Sequence, residues 1–196
     1  MKKSIFMTLV FIIALSLTGC GQKDDSKGDL KDESKAETVA AVENSMSFSS
    51  EEISGADFTL SYTEAQKHTM QTDGKKYSAM ILQLANYDRG GGSWHPSPKE
   101  DGHIRVTVNF SSPSGEELKA GIYKIDGKMA EDFRLSIGIE GKVDGLTKSI
   151  GLYNGTGSGE IIHIDGKTIS GKIDLKDSKG TTIKATFKTS YTKSMF

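Results

Sequence analysis

The chain has 196 residues, with 25 lysines and arginines against 26 aspartates and glutamates, a formal net charge of −1. That balance excludes the basic surplus on which nucleic-acid binding and adhesion to anionic lipid depend. One cysteine excludes an internal disulfide, and 22 glycines against 3 prolines suit a protein of hairpin turns better than a Pro-rich stalk.

At the N-terminus Lys2 and Lys3 precede an apolar run from Ile5 to Leu17, too short for the roughly 20 residues that span a bilayer as a helix. It reads as a signal peptide. The run closes in Leu17-Thr18-Gly19-Cys20, which resembles the lipobox of bacterial lipoproteins: an apolar residue, two small ones, then the cysteine that becomes the new N-terminus. The resemblance implies residues 1–19 as a lipoprotein signal peptide and a diacylglyceryl group on Cys20, the partner of that group being a membrane. Buried acyl carbons contribute about 0.8 kcal/mol each, and two chains anchor stably where one does not. The following Gly21-Gln22-Lys23-Asp24-Asp25 is similar to the export signal of surface lipoproteins in Bacteroidota, and also to the acidic, lysine-rich opening of Gram-positive lipoproteins. Either resemblance puts the folded part in the cell envelope outside the cytoplasmic membrane, with the outer-membrane surface as one site.

From Cys20 to about Ser50, Lys, Asp, Glu and Ser dominate without apolar periodicity, the pattern of a disordered tether that cannot bury enough surface to offset ordering entropy. Residues 51–196 then make one domain by length. Phe58, Leu60 and Tyr62 read as a first strand, and Thr63 with Gln66 three residues on has capping-box spacing for one short helix. Met80, Leu82 and Leu84 mark the inner face of a strand over Tyr77 to Ala85, and Ile104, Val106, Val108 and Phe110 that of the next. Gly121 to Ile125, then Phe133, Leu135, Ile137 and Ile139, then Leu146 to Tyr153 follow. Ile162 and Ile164, an Asp165-Gly166 type I′ turn, Ile169, Gly171, Ile173 and Leu175, then Ile183, Ala185 and Phe187 read as a closing three-strand meander. The whole predicts an all-β fold, an antiparallel β-sandwich or small barrel of about nine strands. The run Ile169-Ser170-Gly171-Lys172-Ile173-Asp174 resembles the C-terminal part of small bacterial lipoproteins of uncharacterised β-sandwich families, a likeness that carries no functional residues.

The chemistry is concentrated in one place. Asn86 to His103 holds the only Trp, two of the 4 His and two of the 3 Pro, and a long connection between strands is uncommon unless it serves a function or is disordered. Trp94 and Tyr87 can stack on a flat ligand such as a sugar ring, with Arg89, His95, Glu100 and His103 as polar contacts; the competing reading makes Trp94 a plug at one end of the core. His95 and His103 with Glu100 or Asp101 form no specified metal site. Ile161 stands where a phosphate-binding loop ending in Gly166-Lys167-Thr168 needs glycine, and no nucleophile elbow appears. The sequence calls for no cofactor. It favours a non-enzymatic lipoprotein that binds a glycan or an envelope protein through this loop, against a hydrolase of cell-surface polymers or an assembly component of an envelope complex.

Overall fold

A computed structural model of the chain describes residues 43–53, 58–88, 97–152 and 155–193. Ten strands and no helix occur among them: β1 (Ser45–Ser49), β2 (Tyr62–Thr72), β3 (Lys75–Ala85), β4 (Ile104–Ser111), β5 (Gly121–Lys124), β6 (Arg134–Val143), β7 (Leu146–Leu152), β8 (Thr156–Ile164), β9 (Thr168–Lys176) and β10 (Thr182–Lys193). The domain is all-β, as the alternating runs predict.

The sheet closes on itself. Starting from β10 its path runs β2, β3, β4, β6, β5, β8, β9 and back to β10, an eight-stranded barrel. β1 lies on β10 and β7 on β6 as additional strands. Two seams are parallel, β10 with β2 and β5 with β6, the latter through the single pair Lys124 and Arg134. The barrel is therefore mixed where the sequence predicts antiparallel pairing throughout, and it is closed where a sandwich would have stayed open.

Inward-facing side chains fill the interior. Met80, Leu82 and Leu84 meet Phe110, Val108 and Val106 across the β3–β4 ladder, and these meet Leu135, Ile137 and Ile139 of β6; all are 2% exposed or less. On the far wall glycines make room for rings. A Cβ on Gly159 would stand 2.7 Å from a Phe110 ring carbon, and one on Gly171 would strike the Phe187 ring and the carbonyl of Glu160. Tyr123 packs edge-on to Phe110, centroids 5.2 Å apart, and its hydroxyl donates to the Lys119 carbonyl at 2.9 Å. Burial pushes that hydroxyl's pKa up to about 12.

Several local expectations are corrected. Thr63 to His68 belongs to β2: β3 pairs with it along its whole length and β10 takes its other edge at Ala65 to Lys67, a ladder that a lone helical turn cannot match. The stretch read as tether contains β1, because Met46 finds a place in the core beside β10. Ile162 is exposed, and Ile161 takes the inner position, because a bulge between Ile161 and His163 shifts the phase of β8. Asp165-Gly166 is not a type I′ turn. Asp165 Oδ1 instead accepts from the Lys167 and Thr168 amides, each at 2.7 Å, which closes the turn with no positive φ at either residue. The left-handed pair occurs at Asp73-Gly74 and Asp144-Gly145.

Candidate functional site

The ends of the Asn86 to His103 segment are held by the barrel. Asn86 bridges them: its amide nitrogen donates to the Gly102 carbonyl at 2.8 Å, and its side-chain oxygen accepts from Ile104 N–H at 2.7 Å. Gly102, at φ +84°, turns the chain so that its N–H meets the Lys142 carbonyl at 2.9 Å, while His103 offers its own carbonyl to Lys142 N–H at 3.0 Å. Asp101 Oδ1 accepts from Gly145 N–H at 2.8 Å. The return limb is thus stapled to the β6–β7 hairpin.

Of the residues singled out from sequence, this geometry brings three together. Tyr87 and His103 stack face to face, centroids 4.4 Å apart and planes within 7°. Glu100 Oε2 stands 3.8 Å from His103 Nε2, its side chain largely exposed. Arg89, Trp94 and His95 lie outside the described residues, as do Cys20 and the whole lipobox. The Tyr87 ring is buried, which raises its hydroxyl pKa; the Arg105 guanidinium opposes that rise and the Glu140 carboxylate adds to it. A phenol so placed stays protonated at neutral pH and cannot act as a base.

Beside the stack stands an ion pair that sequence reasoning missed. Arg105 Nη2 donates to Glu140 Oε2 at 2.6 Å, from residues directly opposite on β4 and β6. The one signal available was phase: Arg105 falls on the polar side of the Ile104, Val106, Val108 alternation, but its partner on β6 follows only from a register that no local pattern gives. Glu100 thus faces an imidazole, Glu140 a guanidinium and Asp101 a backbone N–H. Among the described residues no three His, Cys, Asp or Glu side chains converge as metal ligands.

The arrangement is a buried aromatic stack at the root of a long connection, beside a compensated charge pair, on a barrel whose interior is occupied by apolar side chains. The depressions at β7 are open, and another, beside β1, β8, β9 and β10, is lined in part by the core residues Met46, Ile173 and Ala185. Comparison with protein-family models, curated proteins and solved structures finds nothing that matches this chain.

Proposed function

We propose that this chain is a lipid-anchored, extracytoplasmic binding domain of the cell envelope, tethered through Cys20 and taking a glycan or an envelope protein on the Asn86 to His103 segment. The observation that supports the reading is the Tyr87–His103 stack, fixed to the barrel wall at the root of that segment. The buried stack braces the root of the segment before a ligand arrives, which removes part of the ordering cost of binding, and the aromatic and polar residues the segment carries suit sugar rings and protein hot spots alike. The filled interior argues against a ligand carried inside the barrel.

Two measurements test it. Labelling cells with an alkyne fatty acid should tag the wild-type chain and leave Cys20→Ser unlabelled; an unlabelled wild type removes the anchor from the reading. A thermal-shift screen against glycan fragments, with Trp94→Ala alongside, should find a ligand that stabilises the wild type by about 2.7 kcal/mol at a hundredfold excess over Kd. That gain should vanish in the variant. A variant that melts early without any ligand effect assigns Trp94 to the core instead.

A further inference from the structure

β7 is paired on one side only among the described residues. Its turn to β6 has two residues, Asp144 and Gly145, at φ +52° and +72°. In such a hairpin the flanking pair, Val143 and Leu146, exchanges both hydrogen bonds, and bonded and non-bonded pairs alternate from there. Thr147, Ser149 and Gly151 therefore direct their N–H and C=O groups away from β6. All three are exposed and small, so the backbone is within reach. Natural edges are usually blunted by proline, a bulge or projecting charge, and this one has neither proline nor a register shift. Its one charge, Lys148, is turned toward the Glu52 carbonyl at 3.2 Å.

A depression flanks each face of this edge. On the outer face Gly138 and Gly151 are directly opposite each other, and a Cβ added to Gly138 would touch nothing within 4 Å. They floor a depression of about 350 Å³ walled by Thr107, Glu140 and Ser149. On the other side a smaller one, about 190 Å³, separates β7 from the Asp177–Lys179 turn and Glu52. From these features we infer that the free edge of β7 docks an extended peptide strand with an aromatic side chain directed onto the Gly138–Gly151 floor.

Side chains of an added strand alternate between faces, and here both faces have room for them. An aromatic residue on a neighbouring strand is the usual cover for glycines in a sheet. Charge disfavours a basic peptide, since Lys148 on the edge is cationic while Glu52 is met by Lys179 at 3.1 Å, Glu140 by Arg105, and Asp177 Oδ1 by the amides of Lys179 and Thr181; a neutral strand is the simplest occupant. The Asp177–Lys179 turn faces β7 across the smaller depression, a projection that crowds a second barrel more than a single extended strand.

The test is amide exchange on the isotope-labelled chain with the peptide acetyl-Thr-Val-Trp-Val-Thr-amide and its Trp→Ala control. Thr147, Ser149 and Gly151 amides should slow by about tenfold or more near saturation, and the control peptide should bind at least about tenfold more weakly. Ser149→Pro removes a donor that β6 does not use, and Gly138→Val fills the floor without a clash; each should abolish the protection while the melting temperature holds. No response of these amides at about 1 mM peptide, or equal responses to both peptides, overturns the inference. Protection that appears without peptide and disappears on dilution assigns the edge to a second copy, which also overturns it. Ligand binding that Trp94→Ala destroys and Gly138→Val leaves intact sinks only the peptide site and keeps the loop reading.

Discussion

His68 lies on β2, half-buried, with Nε2 cut off from water and without a hydrogen-bond partner among the described residues. Burial lowers its pKa, because a charged imidazole is poorly solvated there. Stability is therefore complete above the ordinary value of 6.5 and falls as acid forces a proton onto the folded protein. Replacing His68 by Gln should flatten the decline in melting temperature between neutral pH and pH 5, while an unchanged slope would mean that other groups carry it. Gly171 is a second single-residue determinant. The Glu160 carbonyl beside it is backbone and cannot rotate away from a new methyl as the Phe187 ring could. Gly171→Ala should accordingly cost about 1–3 kcal/mol in denaturant unfolding, and a neutral result would mean that β8 and β9 can part at that point.

Elements show where a linear reading of the chain succeeds. The runs Met80-Leu82-Leu84, Ile104 to Phe110 and Leu135 to Ile139 are inner faces of β3, β4 and β6 and could be read directly, since alternation is imposed residue by residue by burial of one face. β1 could not, because five residues rich in serine become a strand only when β10, about 140 residues later, offers an edge and Met46 a pocket. The bulge in β8 was equally hidden: both Ile161 and Ile162 are apolar, so composition could not say which one faces in. The same limit applied to the site. Tyr87 and His103 stood out through the odd composition of their segment, whereas Arg105, Glu140 and the Asn86 clamp depend on neighbours distant in sequence. Shortly after β1, Ile53 is 3% exposed and fills the space beside Gly141. Ile53→Ala should cost about 2–5 kcal/mol. Gly141→Ala, whose Cβ would stand 2.5 Å from Ile53 Cγ2, should be milder in the Ile53→Ala background than alone, a coupling readable by a double-mutant cycle. Simple additivity would mean that the two do not share that space.

For the molecule as a whole, β10 is the strand on which closure depends. It pairs with β9 along its length on one edge, and its other edge is shared by β1, against Thr182 to Thr186, and by β2, against Tyr191 to Lys193. Among the described residues it is also the last strand in chain order. Nascent chains grow at about 5–20 residues per second, so β1 waits on the order of ten seconds for β10, its partner among the described residues. During that interval β9 has one side unpaired, β2 lacks its parallel neighbour, and the row of Ile183, Ala185 and Phe187 is missing from the core. Long-range pairing of this kind is slow to form because the intervening chain must be ordered first. A chain ending at Lys176 should show no cooperative thermal transition, and adding residues 177–193 as a separate peptide should restore one. β10 is thus a keystone: without it β9, β1 and β2 each lose a neighbour at once, and the ring of strands has a gap where three seams meet.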